Sequence, residues 1–411
     1  LWRNLGLIAA GKKRYELMMV GGSYVGYIRS TRQWWAPVDR LLREQKLDQR
    51  PIYFVSSNMH SFANVLSGTA RRRERELTEF VRTSTALGLA DELVKIESGR
   101  TQSSLDNLLY FAARPYFALP EHVADRDRRA EEELERGIYH IEPRSSVDVG
   151  VQVIDLRRTD PTAFDPRLCR SGEETLDPSA TDAIIVNVNY PLGFAAYHLL
   201  SQVSMATEQM RGIYILGKAA TLNGRIGDVM LANVVFDEHS GNTYWFDNCF
   251  GYQDVAPFLL FGAALDNQKA VTVKGTYLQN QGYLDFYYRE NFTVVEMEAG
   301  PYISAIYEDS RLERHPSEQA INLRGAIGHD IDLGIIHYAS DTPYTRAQTL
   351  GARGMSFFGM DSTYASTIAI LRRIFQKTGM LGSRAGEKPG AESRRREGAK
   401  LDEATRRKGN L

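Results

Sequence analysis

Residues 183–203, AIIVNVNYPLGFAAYHLLSQV, contain the pattern that decides the fold class. Ala183–Val188 is a nearly continuous apolar run, which is typical of a strand buried on both faces of a sheet. Asn189–Gly193 contains Pro and Gly and predicts a tight turn. Phe194–Val203 follows as a predicted helix. The stretch therefore predicts one β–α unit.

The same succession of elements recurs along the chain. Apolar runs predict further strands over Ile213–Leu216, Val229–Phe236, Val271 to about Leu278, Phe292–Met297 and Leu333–Ala339. Helices are predicted from about Pro301 and over Ser366–Phe375. Buried strands that alternate with helices predict an α/β fold with a central mixed β-sheet flanked by helices. We assign residues 151–381 to this domain, with its core between about residues 180 and 376.

The N-terminal part of the chain is predicted to be a mixed α/β region over residues 1–150. Pro51–Ser56 predicts a short strand, and a helical pattern follows through Phe62 and Val65. Ser57, Asn58 and His60 fall on the turn between them, where phosphate groups often bind. Capping of the following helix explains the Ser and Asn more simply.

The C-terminal residues 382–411 are rich in Lys and Arg and almost free of apolar residues. Such a composition cannot bury enough surface to offset the entropy of ordering. We therefore predict a disordered basic tail, which is either a solvated segment or an arm for a partner.

The composition excludes several classes of protein. The 411 residues include 50 Lys and Arg against 51 Asp and Glu, for a formal net charge of −1. No overall field therefore attracts nucleic acid or a membrane, and specific binding to either is not expected. Cys169 and Cys249 show no metal-ligand spacing, so no metal site is predicted. A cytoplasmic location is favoured by three observations. The chain has only two cysteines, no apolar run as long as a bilayer span and no signal-peptide pattern.

Polar and small residues follow three of the predicted strands. They are the stretch Gly217–Asp228, the acidic stretch Glu296–Glu298 and the pair Ser340–Asp341. Open α/β sheets bind ligands beyond the carboxyl ends of their strands. This arrangement indicates a polar ligand that carries hydroxyl groups and a group to be protonated.

These three stretches also carry a family resemblance. Gly217–Leu222 with Gly227-Asp228-Val229, then Val295-Glu-Met-Glu-Ala299, then Ser340-Asp341 resemble, in order, motifs of the nucleoside phosphorylase/nucleosidase superfamily. The S-D-x-P form and the extra N-terminal region are most similar to the AMP nucleosidase branch. The resemblance covers about residues 180–376 and implies cleavage of a purine–ribose bond.

The resemblance implies a role for each residue. Asp341 is the implied general acid for N7 of the leaving base, with Ser340 orienting it. Glu298 would accept hydrogen bonds from two ribose hydroxyls, and Met297 would pack on the sugar. The remaining implied binding residues are Glu296 of the ribose motif, Gly217, Lys218 and Ala219 of a glycine-rich turn, and Tyr277 or Tyr283 as an aromatic wall for the base.

Each of these residues also has a purely structural explanation. Met297 at a strand end is typical core packing, Glu298 suits the start of the next helix, and Asp341 suits a turn. Three such motifs in the family's order favour a functional interpretation.

The reaction type depends on the nucleophile. Phosphorolytic members commonly carry an Arg two residues before the leading Gly, where this chain has Ile215. This difference favours water, and therefore hydrolysis of a purine nucleoside or nucleotide. Lys218 is able to bind phosphate as a point charge, so inorganic phosphate as co-substrate or effector stays an alternative. A non-catalytic nucleotide-binding or scaffold protein on the same fold is the other alternative. The resemblance further implies a homo-oligomer.

Overall fold

The computed structural model describes residues 6–7, 9–12, 24–84, 88–143, 145–170, 172–275, 280–311, 317–324, 331–343 and 357–383. The strands are β1 Ile52–Ser57, β2 Ile138–Ile141, β3 Val151–Asp155, β4 Glu174–Leu176, β5 Ile184–Asn189, β6 Met210–Thr221, β7 Val229–Asp237, β8 Thr243–Trp245, β9 Ala264–Thr272, β10 Val294–Glu296, β11 Ala320–Asn322, β12 Asp332–Asp341 and β13 Leu381–Ser383.

The α-helices lie before the first strand and between later strands. They are α1 Tyr24–Glu44, α2 Ser61–Ser67, α3 Thr69–Arg72, α4 Glu74–Thr83, α5 Ala90–Glu97, α6 Leu105–Ala118, α7 Val123–Glu135, α8 Phe194–Ala206, α9 Tyr252–Val255, α10 Gln281–Arg289, α11 Ala299–Arg311 and α12 Phe357–Lys377. Single 3₁₀ turns cover Pro120–His122, Leu156–Arg158, Pro161–Ala163, Pro166–Leu168, Pro178–Ala180 and Ala256–Phe258. Over the described ranges, no helix is long and apolar enough to cross a membrane.

Within the described residues, eleven strands form one mixed sheet in the order β11-β8-β7-β9-β10-β6-β1-β5-β3-β2, with β12 joined to both β6 and β7. The strands β7, β9, β10, β6 and β12 therefore close a ring of pairings, which makes a small barrel. β1, β5 and β12 run parallel to β6, whereas β10 and β6 are antiparallel. The predicted mixed sheet between helices is confirmed.

Two apolar cores cover the two faces of the sheet. Along β6, Ile213 and Ile215 face the core that α1, α8 and α11 complete. Tyr214 and Leu216 face the other core, which α2, α6 and α12 complete. This alternation follows from the period of two along a strand. A third cluster fills the space between the barrel strands and α10.

The predicted glycine-rich turn at Gly217–Leu222 is wrong as a turn. Strand β6 continues to Thr221, and its last residues pair with β12 on one side and with β10 on the other. Two paired edges satisfy the backbone, and the small Ala219 and Ala220 are buried in different apolar clusters on opposite faces of the strand. The turn comes later, where the Gly224 amide donates to Thr221 Oγ1 over 2.8 Å.

The predicted boundary near residue 150 does not divide the sheet. β1, from the N-terminal region, lies between β5 and β6 and pairs in parallel with both. All six residues of β1 are buried, which is the pattern of a central strand rather than of a separate unit.

The C-terminal end differs slightly from the prediction of a tail from residue 382. Leu381–Ser383 forms strand β13 and pairs antiparallel with β4. Residues 384–411, which make up the rest of the predicted tail, lie outside the described residues.

Candidate active site

Glu296 ends strand β10 and fixes the start of helix α11. Its Oε2 atom accepts hydrogen bonds from the backbone amides of Glu298 and Ala299 over 2.7 and 2.8 Å. Its Oε1 atom accepts a hydrogen bond from the Thr272 hydroxyl. A carboxylate at a helix N-terminus is favoured by the free amides there and by the helix dipole. These contacts give Glu296 a structural function and leave little capacity for direct contact with a substrate.

Glu298, two residues later, has a different environment. Its side chain is 5% exposed, and its Oε2 atom has no hydrogen-bond partner among the described residues. Burial, and next the charge of Glu296, raise the pKa of Glu298 well above its usual range. A buried carboxyl oxygen without a partner is costly, so Glu298 has the environment of a ligand-binding group.

Both ring nitrogens of His337, near Glu298, also lack a hydrogen-bond partner in the described part of the chain. The nearby Tyr190, Tyr302 and Tyr338 instead have polar neighbours, namely Asn58, Ser56 and Thr363. Burial is the main cause that raises the pKa of each of these tyrosines, and the charge of Glu298 also acts on all three. Each buried polar group without a hydrogen bond costs about 1–3 kcal/mol. The unpartnered atoms of Glu298 and His337 therefore indicate a site that is completed by water or by a polar ligand.

Tyr190 was not identified as a site residue from the sequence. The Asn189–Gly193 turn was predicted, but nothing in it indicated a chemical role. In the structure, Tyr190 has a φ of +35°, which is unusual for a residue with a side chain. The Gly193 amide donates to the Met297 carbonyl over 2.8 Å and so ties this turn to the Glu298 segment. Strained backbone of this kind often accompanies functional sites.

Asp341 lies at the end of β12 and is 3% exposed. Its Oδ2 atom accepts a hydrogen bond from the Ser340 hydroxyl over 2.8 Å. An irregularity between Ala339 and Asp341 brings Asp341 opposite Ala220 of β6. Ser340 therefore contacts the carboxyl group that it was predicted to orient.

Lys218 belongs to the same neighbourhood as Asp341. Burial and, to a smaller extent, Arg114 lower the pKa of Lys218, whereas the charge of Asp341 acts to raise it. Lys218 is half-buried on β6, opposite Tyr338 of β12. The ammonium group is therefore available for an anionic ligand.

The other predicted binding residues lie in different surroundings. Met297 packs against the cluster of apolar residues beneath α10 and is half-buried. Tyr283 is on α10 and is 52% exposed. Tyr277 lies outside the described residues. Gly217 and Ala219 are strand residues of β6, and Gly217 lies beside Glu298 and His337.

Comparison with solved structures gives distant likenesses only. Uridine phosphorylase from Schistosoma mansoni, in complex with thymine, has a TM-score of 0.43 and 8% identity, over 82% of this chain and 91% of that one. A methylthioadenosine phosphorylase from an antarctic soil metagenomic library has a TM-score of 0.36 and 8% identity, over 49% and 74%. Likenesses with TM-scores this low decide neither activity nor substrate.

Comparison of sequences gives a firmer assignment. No curated protein matches the chain. The family described as "Family of unknown function (DUF6909)" matches residues 1–376, which is most of the chain. The chain therefore belongs to the family of unknown function DUF6909.

Proposed function

We propose that this protein hydrolyses the N-glycosidic bond of a purine nucleoside or nucleotide. The observation that carries the proposal is the buried Oε2 atom of Glu298, which has no hydrogen-bond partner among the described residues and lies among buried tyrosine hydroxyls. The order of sequence motifs that resembles nucleosidases supports it.

Glu298 is suited to hold the sugar. The Glu298 carboxyl group offers oxygen atoms that accept hydrogen bonds, and ribose offers two adjacent hydroxyl donors. The hydroxyls of Tyr190 and Tyr338 lie close to Glu298 and both donate and accept. Hydrogen bonds to the sugar that strengthen as it gains positive charge contribute to lowering the barrier.

Asp341 is suited to protonate the leaving base. Departure of a purine requires a proton on the base, and a carboxyl group positioned by a hydrogen bond can supply it. Ser340 gives that positioning, with its hydroxyl 2.8 Å from Asp341 Oδ2. In this proposal Asp341 is the catalytic residue, and Ser340 is a positioning residue.

Water is the nucleophile in the proposed reaction. Ile215, at the position of the phosphate-binding Arg in phosphorolytic members, is 1% exposed and belongs to the apolar core. Phosphorolysis is the second candidate, because the half-buried Lys218 offers a cation close to Asp341. The same cation also suits the 5′-phosphate of a nucleotide.

The test is incubation of the full chain with AMP, adenosine or inosine, with and without phosphate, followed by chromatography of bases and sugars. Base release without phosphate supports hydrolysis, and release only with phosphate supports phosphorolysis. Saturable binding without turnover contradicts both reactions and leaves a nucleotide-binding protein.

Two variants make this experiment specific to the site. Asp341→Asn keeps the shape of the side chain and should abolish most turnover. Asp332→Asn is the matched control at the opposite end of β12, where Asp332 pairs with Arg373 over 2.7 Å. The control should lower stability and leave turnover at the wild-type level where it is folded.

A further inference from the structure

We propose that Glu298, His337 and Glu296 bind one divalent metal ion in the interior of the protein. One ligand atom from each of the three lies within 4.8 Å of those of the other two, and all three residues are buried. The proposal goes beyond the glycosidase function, because it concerns binding of an ion and does not require turnover.

The separation of the ligand atoms fits a small ion. The distance from His337 Nε2 to Glu296 Oε2 is 3.5 Å. Ligand atoms about 2.1 Å from a tetrahedral ion are about 3.4 Å apart. This pair therefore needs almost no movement, and the longest separation of the set, at most 4.8 Å, must shorten by up to about 1.4 Å.

Two of the three proposed ligands have polar atoms without a hydrogen-bond partner among the described residues, and the third is held in place by hydrogen bonds. His337 is fully buried, and neither of its ring nitrogens has a hydrogen-bond partner in the described residues. Glu298 Oε2 is likewise unpartnered. Glu296 is held by the helix amides and by Thr272, in the way that outer hydrogen bonds commonly fix a ligating carboxylate.

Gly217 leaves room beside these atoms. A Cβ atom at this position would lie 3.3 Å from His337 Cδ2, 3.5 Å from Glu298 Oε2 and 3.6 Å from His337 Nε2. The position therefore borders two of the three ligands directly. The absence of a side chain keeps this space free on the strand that neighbours β12.

The charges of the set define the kind of ion. Once they bind an ion, two carboxylates and an imidazole contribute two negative charges, which a divalent cation neutralises. Burial of such a pair without a counter-charge is costly. A mixed set of imidazole and carboxylate suits Zn²⁺ or Mn²⁺, because imidazole is a poor ligand for Mg²⁺.

The test measures binding of Zn²⁺ and of Mn²⁺ to the full chain after removal of metal with a chelator and without any nucleotide. Equilibrium dialysis with elemental analysis gives the stoichiometry, and the visible spectrum of Co²⁺ reports an imidazole ligand. We expect one ion per chain. Glu298→Gln and His337→Gln should each weaken binding of the ion by about tenfold to a hundredfold or more. Loss of a residue that only hydrogen-bonds to a metal ligand already has an effect of this size.

His140→Gln is the matched control. His140 Nε2 lies 2.6 Å from the buried Glu133, but that pair is completed by Arg129 and lies outside the proposed site. This variant should bind the ion as the wild type does. Circular dichroism tests whether each variant is folded. If Glu298→Gln does not fold, the loss of binding in the folded His337→Gln variant tests the proposal by itself.

The possible results separate this proposal from the proposed function. Absence of saturable binding, or binding that is equal in the wild type and the folded His337 variant, overturns the metal site and leaves the glycosidase proposal standing. Binding of one ion, lost in the His337 variant, supports the metal site whether or not any nucleoside is cleaved.

Discussion

Glu296 and Glu298 should respond in opposite ways when their carboxylates are changed to amides. Glu296 accepts three hydrogen bonds, whereas Glu298 Oε2 accepts none in the described chain. The two residues are two positions apart and are both buried. Each variant is therefore the control for the other.

The magnitude for Glu296→Gln follows from its contacts. The two backbone amides lose a charged acceptor and keep a neutral one, which costs about 1–1.5 kcal/mol each. Loss of a negative charge at the start of α11 adds about 0.3–1 kcal/mol. We expect the free energy of unfolding to fall by about 2–4 kcal/mol.

Glu298→Gln should leave the free energy of unfolding unchanged or raise it by up to about 2 kcal/mol, because it replaces a buried carboxyl group whose Oε2 atom has no hydrogen-bond partner in the described chain. Under the proposed function it should lower kcat/KM by about tenfold to a hundredfold, since hydrogen bonds to a charged group contribute about 1.5–3 kcal/mol. Urea denaturation in a chelating buffer and AMP cleavage measure the two quantities. Equal destabilisation by both substitutions, or undiminished cleavage by a folded Glu298→Gln protein, would refute the reasoning.

Three further predictions concern the site, the sheet and pH. Asp341→Asn should lower kcat by about 10²–10⁴-fold with KM little changed, as expected for loss of a general acid, and steady-state kinetics would contradict this by showing a change in KM alone. Gly334→Ala should destabilise the fold by about 1–3 kcal/mol, because its Cβ would lie 2.2 Å from Phe250 Cε2, and an unchanged urea midpoint would disprove the clash. Burial, and then neighbouring cations, lower the pKa of His60 to about 4, against about 6.5 in an unfolded chain. His60 is therefore neutral in the folded protein. Its contribution to the free energy of unfolding is fully present above about pH 6.5 and is lost as the pH falls towards 4. Urea titrations should show a weaker decline over this range in His60→Gln than in the wild type, and parallel declines would contradict the assignment.

The strands and helices could be predicted because most of them are marked by local patterns. The apolar run of β5, the turn after it and α8 follow the predicted order, with ends shifted by one to three residues. The mixed sheet follows from such units, because apolar strands must be covered on both faces.

The closure of the barrel could not be predicted from local patterns. It depends on β6 continuing past Gly217 to pair with β10, and Gly and Ala residues carry weak strand signals. The central position of β1 was missed for a related reason, since pairing between distant segments leaves no local trace.

The candidate site was predicted in part. Glu298, Asp341 and Ser340 stood out because each follows a predicted strand, whereas Tyr190 and His337 did not. His337 lies within an apolar strand, where a buried histidine is usually assumed to have a partner. Only the structure reveals that its ring nitrogens lack one among the described residues.

The central position of β1 has a consequence for how the chain can be shortened. A fragment that begins near residue 151 would lack the strand that separates β5 from β6. Both of those strands would then present a row of unpaired amides and carbonyls in the middle of the sheet, and β5 has no charged or proline residue to protect it from other chains. Such a fragment should self-associate through these edges. The first 150 residues are therefore needed to keep the chain from aggregating, whatever chemistry the site performs.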